Sequence, residues 1–569
     1  MVDSPTSSKS NSLIHRPTTT TRGGWHAAIF IIFVEFAERF AYQGMASNLL
    51  IYLTHVMNVP DTKAVKDVNT WVGVSALFPL IGAFIADSYL GRFKTILISS
   101  IIYLVGTILL TLSVSSLNHH NMMFFIAIYV ASIGDGGHKP CVQTFAADQF
   151  DEDTMKEREN KSSFFNWWYM GVVAGSVIPV FLIPYLQQNG WWAMGFGLVG
   201  GVLALALAVF VLGINSYRKE GPAGSPFTRL AQVFVAASRK WRVNHTLNYC
   251  YEEMDNQEPP HIHAHKFTTL LHTHEYRFLD KAMMIDEVDA TSKTRDPWRL
   301  CSVTQVEELK LILRIIPIWL SCIMFTVVQA QGHTYFVKQA DTLNRSIGPN
   351  FLVPAAVIQG LVGIIILIVV PIYDKVFMPL ARKFTGHPTG ITVLQRIGVG
   401  HFLSILTMVV AALVEAKRVG VARDHNLLDN PKAMVPMTIW WLLPQYIITG
   451  VSDAFTIVGL QELLYDQMPE GMRSMGAALY ISIIGVGNFA SIAIIDTVEE
   501  ITLRVGGPWL GNNINRAHLD YFYWLLAVLS ALSLCVYLWL AKLYEYKKVD
   551  VVETSNQMRL GEYNHNYGV

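Results

Sequence analysis

Two acids and one base fall within five residues of an apolar stretch, Phe33-Val34-Glu35-Phe36-Ala37-Glu38-Arg39-Phe40-Ala41-Tyr42-Gln43-Gly44. On a helix, Glu35, Glu38 and Arg39 at i, i+3 and i+4 share one face, with Tyr42 one turn further along it. Arg39 can neutralise one carboxylate and leaves the other able to bind and release a proton. A charge pair that only fixed helix packing would need one acid, not two. A second cation, Lys139, stands in Gly134-Asp135-Gly136-Gly137-His138-Lys139-Pro140. There the glycines permit close helix approach and Pro140 removes a backbone hydrogen bond. A lone acid, Asp453, sits in the apolar run Thr449-Gly450-Val451-Ser452-Asp453-Ala454-Phe455. Glu35, Glu38, Arg39, Lys139 and Asp453 together carry one negative charge, so one bound proton makes the set neutral. An anionic solute beside them would favour further protonation.

Such a set needs a low-dielectric scaffold, and the composition supplies one. The chain has 569 residues, 52% hydrophobic and only 15% charged, with a mean hydropathy of +0.34. Soluble domains carry about 25% charged residues. The deficit counts against a soluble multi-domain enzyme and against a disordered or fibrous chain. With 43 basic and 43 acidic residues, no global field recruits nucleic acid. The five cysteines, Cys141, Cys250, Cys301, Cys322 and Cys535, are scattered and never form Cys-x-x-Cys, so neither a disulfide framework nor a zinc ribbon is implied. The N-terminus through Thr21 lacks the apolar core of a cleavable signal, leaving targeting to the first membrane helix.

A membrane crossing takes ~20 apolar residues, and twelve runs qualify. They lie near 25–54, 68–90, 95–116, 121–146, 165–187 and 189–214, then 306–337, 349–376, 391–414, 434–465, 471–500 and 517–544. The reading is an all-α membrane protein of twelve transmembrane helices in two six-helix halves. A cytosolic N-terminus expected to be disordered (1–24) precedes the first half (25–214). A cytosolic linker (215–305) joins it to the second half (306–544), and a cytosolic tail (545–569) follows. Charged side chains at membrane depth cost at least ~2.5–3.5 kcal/mol each and normally mark a pathway.

Orientation follows the positive residues. Arg92 and Lys94, Lys156, Arg158 and Lys161, Lys375, Arg382 and Lys383, and Lys542, Lys547 and Lys548 share one side. Both termini and the linker are therefore expected in the cytosol. Lys417, Arg418, Arg423 and Lys432 are the exception, placed outside beside Glu415, Asp424 and Asp429. The plasma membrane and the vacuolar membrane fit equally.

Two halves of this kind are often built from internal repeats that hold the solute between them. A trace of repetition survives: Gly82-x4-Asp87-x3-Gly91-Arg92 after the second span, and Tyr373-Asp374 with Arg382-Lys383 after the eighth. The first copy resembles the signature loop of the major facilitator superfamily. Asp87 facing Arg92 and Lys94 would form a breakable conformational clasp between helices. Thr95, just beyond, makes a kinase a candidate partner, since a phosphate there would disturb the clasp.

The motifs around Glu35, Glu38 and Arg39, the Gly134–Pro140 block, Phe164-Phe165-Asn166-Trp167-Trp168-Tyr169 and the stretch from Cys301 to Pro317 resemble proton-coupled oligopeptide transporters. More narrowly, the chain resembles the plant nitrate/peptide transporter family, over essentially residues 25–545. Gln331-Gly332-His333-Thr334 and Gly459-Leu460-Gln461-Glu462 point the same way. The resemblance implies a major facilitator fold and proton coupling through Glu35, Glu38, Arg39 and Lys139. It implies solute contacts by Arg39, Tyr42, Gln43, Lys139, Asn166, Trp167, Gln329 and Asp453. Peptide carriers of the family commonly have Glu where Asp453 stands, a second tyrosine where Gln43 stands, and an acid in the seventh span, which here offers Gln329 and Gln331. The departures favour nitrate, whose delocalised charge needs donors and cations, or another small organic or anionic solute. A di- or tripeptide–proton symporter is the alternative.

No cofactor or metal is implied; protons are the coupling ion, and the partners are a small solute, protons and the bilayer. His261, His263 and His265 in the linker read as a solvated tract rather than a metal site. Residues 275–300 suggest a short helix at the cytosolic face. A membrane-bound enzyme has only His119-His120 to offer, without ligand-spaced companions. A carrier-like sensor remains a separate class, distinguished from a transporter by flux in vesicles.

Overall fold

The computed structural model describes residues 23–115, 121–150, 155–219, 221, 226–242, 272–273, 275–286, 289, 291, 296–349, 351–385, 391–431, 433–468, 473–505, 507 and 509–546. The His261–His265 tract, His119 and His120, and most of the N-terminus and tail lie outside them, as do the side chains of Asn166 and Asp374.

In the first half, α1 (Gly24–Ala46), α2 (Asp61–Ile85), α3 (Arg92–Ser115), α4 (Asn121–Ala147), α5 (Met155–Gln188) and α6 (Trp192–Leu212) follow in order. A linker helix, α7 (Pro226–Arg239), comes next. The second half holds α8 (Val303–Ser321), α9 (Ile323–Gln331), α10 (Tyr335–Thr342), α11 (Gly360–Ile372), α12 (Val393–Asp424), α13 (Leu443–Gln467), α14 (Arg473–Val505) and α15 (Leu519–Leu543). Among the described residues, nine helices are long and apolar enough to cross a membrane, or ten when α8 is joined to α9 and α10 across a 42° bend. Length and composition thus give fewer than the twelve expected. The other two expected crossings are α1 and α4, of 23 and 27 residues. These helices carry Glu35, Glu38 and Arg39, and Asp135 and Lys139, the charges the site requires.

Several boundaries differ from the apolar runs. The expected single span 25–54 breaks after Ala46, resumes as one α-helical turn at Leu49–Ile51 and runs into a π-turn at Tyr52–Val56. Helix α5 begins ten residues before its apolar run, and α12 continues ten beyond its own. At 1.5 Å per residue the 32 residues of α12 outrun a ~30 Å hydrocarbon core, which brings Arg418 onto the helix. The exception to the charge rule then has a packing cause. Arg418 is fully buried, its Nη2 2.7 Å from Glu415 Oε1 and from the Ile514 carbonyl, and its Nη1 2.6 Å from Asn515 Oδ1. Lys417 sits 3.3 Å over the Trp441 ring.

The internal repeat has a backbone counterpart. Five-residue π-turns stand at Ala86–Leu90, after α2, and at Tyr373–Phe377, after α11. The linker is also more ordered than its polar composition implied. In α7, Leu230, Val233, Ala236 and Ala237 form an apolar face that packs with Leu279, Met283, Val306 and Leu309. Within 275–300 the described residues form short helical turns at Arg277–Asp280 and Lys281–Met283, and Asp289 and Thr291 are helical as well. Lys240 is buried and donates to Asp289 Oδ2 and the Met284 carbonyl, 2.6 Å each. Burial would raise the Asp289 carboxyl, but the Lys240 and Arg299 hydrogen bonds prevail and hold it below the usual range. Stability from this contact is therefore present at neutral pH and lost as pH falls through the lowered value. His272, Asp280 and Glu307 approach one another as metal ligands would. Lys310 Nζ, 2.6 Å from Asp280 and 2.8 Å from Glu307, already supplies the positive charge there.

The halves meet through α2 against α14 and α5 against α11. Among the described residues their polar cross-links gather at one end of the bundle, where α2 begins. Lys66 Nζ lies 2.9 Å from both Asp496 and Glu499, Lys338 lies 3.0 Å from Asp61 and His55 lies 2.8 Å from Asp341. Asn69 donates to Ser491 Oγ at 3.3 Å, and Gln359 donates to the Ser47 carbonyl at 2.6 Å. At the opposite end Phe84 of α2 meets Phe227 of the linker helix. In a chain whose five native cysteines are replaced, Asn69→Cys with Ser491→Cys should be joined by a short bifunctional thiol reagent. After cleavage at a protease site inserted in the linker, the halves should then migrate together on a denaturing gel. Separation despite full labelling would contradict this packing.

Candidate functional site

Helices α1 and α4 bring the charged residues together. Arg39 Nε lies 2.9 Å from Glu35 Oε1 and 3.2 Å from Glu38 Oε2. Lys139 reaches over from α4, 3.8 Å from Glu38 Oε1, and its Nζ is 3.5 Å from the centre of the Tyr42 ring, a cation–π contact. Tyr42 in turn stacks on Trp71 of α2 at 5.6 Å. Lys139 also donates to Asp135 Oδ2, one turn back, at 2.7 Å. Lys139 Nζ is thus shared by a carboxyl from each helix, Glu38 of α1 and Asp135 of α4.

Exposure separates the members of this cluster. Arg39 keeps 30% of its side-chain surface open, against 6% for Lys139 and 2% or less for Glu35, Glu38 and Asp135. Arg39 is therefore its open face, and the acids stand behind it. Removing either cation would leave buried carboxylates uncompensated, a loss of the order of 3–5 kcal/mol for one broken buried pair.

Close helix approach makes the cluster possible. A Cβ on Gly175 of α5 would lie 2.5 Å from the Phe36 carbonyl oxygen and 2.9 Å from Arg39 Cβ. A Cβ on Gly82 of α2 would lie 2.2 Å from the Gly136 carbonyl oxygen of α4. Any larger residue at either position would push a neighbouring helix off the cluster.

The second half contributes a separate polar centre. Gln329 of α9 donates to Asp453 Oδ2 of α13 at 3.3 Å, and Asp453 is buried. Tyr480 of α14 lies within electrostatic range of both Arg39 and Asp453. Gln331 is used differently, donating to the Val327 carbonyl and to Ser491. Gln43 is half-buried beside Tyr42, and Trp167 is exposed on α5, one turn before Gly171.

The structure therefore brings Glu35, Glu38, Arg39, Tyr42 and Lys139 together, and pairs Gln329 with Asp453 in the second half. The sequence-based charge count combined Asp453 with the first-helix group and omitted Asp135. In the structure Asp135 belongs to that group, and Asp453 forms its own pair. The signal was present in the i, i+4 spacing of Asp135 and Lys139.

The clasp also differs. Arg92 keeps a long ion pair with Asp87, at 3.9 Å, but pairs more closely with Asp148, just after α4, and Lys94 is exposed. The contact ties α3 to α4 within one half, because α3 starts immediately after the π-turn and points Arg92 along α4. Thr95 is buried and donates to the Gly91 carbonyl at 3.0 Å, so its hydroxyl is engaged at the helix start. In the second half Arg396 takes the comparable place, over the Tyr373 ring and 3.1 Å from Glu462.

Two helical halves around buried, unevenly matched charges are the architecture of a membrane carrier. The POT family profile, PTR2, matches residues 93–513, and the chain belongs to that family, in its NRT1/PTR branch. It is 53% identical to the Arabidopsis thaliana protein NRT1/PTR FAMILY 5.4, over 95% of this chain and 98% of that protein. It is 45% identical to NRT1/PTR FAMILY 5.10 of the same plant, over 93% and 95%. An auto-inhibited POT family peptide transporter has the same fold at a TM-score of 0.66 and 20% identity, covering 93% of this chain and 98% of that one. The POT family transporter PepTSo follows at 0.65 and 20%, covering 91% and 98%. The chain is thus a multi-pass, proton-coupled membrane transporter and not an enzyme.

Overpacking at the α1–α5 contact should be measurable. Gly175→Val should destabilise the detergent-solubilised protein by about 1–3 kcal/mol and lower its melting temperature. Gly201→Val, at a position with nothing within 4 Å, should leave the melting temperature unchanged.

Proposed function

We propose that this transporter is a symporter that carries nitrate or another small organic or anionic solute together with protons, by alternating access between its halves. The observation that carries the reading is the pairing of two cations, Arg39 and Lys139, with three acids in one cluster, of which only Arg39 is substantially open. An anion drawn to Arg39 competes with the carboxylates for positive charge. The carboxylates then hold a proton more readily, and release of the anion lets the proton go. Coupling is a consequence of sharing cations.

The cross-linked end of the bundle, with Lys66, His55 and Lys338, is assigned to the outside, and the linker end to the cytosol. This assignment follows the positive residues at the linker end and makes the described state an inward-facing one. Opening outward would break the Lys66, Lys338 and His55 contacts and require the halves to close around Phe84 and the linker. The reading places Arg39, Tyr42, Gln43 and Lys139 on one side of the solute and Gln329 and Asp453 on the other. Asn166 and Trp167, near the linker end of α5, are assigned to its path.

A di- or tripeptide is the second reading, favoured by one observation. Asp453, paired among the described residues only with the neutral Gln329, is a carboxylate that a substrate amine could join.

Expressed in oocytes, the protein should pass inward current with nitrate at acidic external pH and little at neutral pH, with dipeptides compared in the same cells. Glu38→Gln should abolish concentrative uptake while the protein still reaches the membrane. Concentrative uptake by that variant at the normal level would overturn the coupling assignment.

A further inference from the structure

We propose that the coupling proton is shared between Glu38 of α1 and Asp135 of α4, a carboxyl–carboxylate pair that bridges two helices. The inference deepens the symport reading for its consequence, but the pair itself can be tested without transport.

Counting the charges of the cluster leads there first. Glu35, Glu38 and Asp135 face Arg39 and Lys139, leaving one negative charge in a site where each acid is almost wholly buried. Hydrogen bonding then says where the proton goes. Glu35 accepts from Arg39 at 2.9 Å, and Asp135 Oδ2 accepts from Lys139 at 2.7 Å. Both oxygens of Glu38 and Oδ1 of Asp135 are buried without a hydrogen-bond partner, and both side chains lie beside the same ammonium, Lys139 Nζ being 3.8 Å from Glu38 Oε1 and 2.7 Å from Asp135 Oδ2. Two ionised carboxylates in that position have only acceptors to offer and repel. One proton converts the contact into an O–H donating to a carboxylate, and satisfies an acceptor on each side.

Other groups face the same spot. From α1 come Glu35, Arg39 and Tyr42; from α4, His138 and Lys139; from α3, Tyr103. His138 Nδ1 and the Tyr103 hydroxyl are buried and unpartnered too, each close enough to feel the Glu38 charge. Arg39, the open member, is where the pair meets the solvent side.

A bridging proton differs from one held on Glu38 alone. With the proton bound, α1 and α4 are joined by a hydrogen bond. When it leaves, the two carboxylates repel and only Lys139, 3.8 Å from Glu38 and 2.7 Å from Asp135, holds them. An anion taking Lys139 away from Asp135 would raise that repulsion and so favour protonation.

The test is infrared titration of the protein reconstituted in lipid vesicles, with no solute and no gradient. Acidification should bring up a protonated-carboxyl C=O band that shifts to lower frequency when aspartate is carboxyl-labelled with carbon-13, and again with labelled glutamate. Asp135→Asn should remove the band, and Asp453→Asn should keep it. Should Asp135→Asn fail to insert, Asp135→Glu should retain the band but pass all of its label sensitivity to glutamate. A band that survives Asp135→Asn, follows glutamate alone in the wild type, or disappears in Asp453→Asn would overturn the proposal. A shared proton without solute flux in a parallel vesicle assay would keep the pair and sink the symport reading instead.

Discussion

Three carboxylates facing two cations, of which only the Arg39 guanidinium is partly open, leave an unpaired charge in the low-dielectric part of the molecule. Much of the surrounding structure can be understood as accommodating that imbalance. Glycines let α5 press against Arg39 and α2 against α4, so that the cluster is closed from the sides. Tyr42, stacked on Trp71, offers its ring to Lys139 and holds the ammonium between two acids. A fully paired cluster would be a passive packing element. An unpaired one must take a proton or a compensating ligand, and that requirement links the helix packing to transport.

The other charges show what balanced versions look like. Glu415 and Arg418 are as deeply buried as the α1 acids, yet every strong donor and acceptor between them is used, with Gln339 and Asn515 completing the network. That network fixes structure. The α1–α4 cluster leaves oxygens unused, and it is also the one that keeps a cation, Arg39, partly open.

Most of this was legible in the chain because membrane proteins tolerate so few charges at depth. Glu35, Glu38, Arg39 and Lys139 announced themselves by type and spacing inside apolar runs, and the two-halves outline followed from the runs alone. Asp135 stood in plain view within a quoted block but carried no signal of which way it faced; only its i, i+4 relation to Lys139 hinted at membership. The Arg92–Asp148 contact joins residues 56 apart, a distance no local pattern encodes. Helix α7 was hidden by its polar flanks, since its apolar face is too short to stand out against a long loop. The extensions of α5 and α12 escaped because hydropathy ends where the bilayer does, while backbone hydrogen bonding continues into water.

The claim beneath all of this is that the cluster's spare charge is settled by a proton that moves with the solute. It is tested most directly by following both species at once in vesicles holding the purified protein, with a pH-sensitive dye inside and isotopically labelled nitrate outside. The account predicts that protons enter only when solute enters, in a fixed ratio that persists when the membrane potential is clamped at zero. Solute entry with no accompanying proton, at any imposed pH difference, would contradict it.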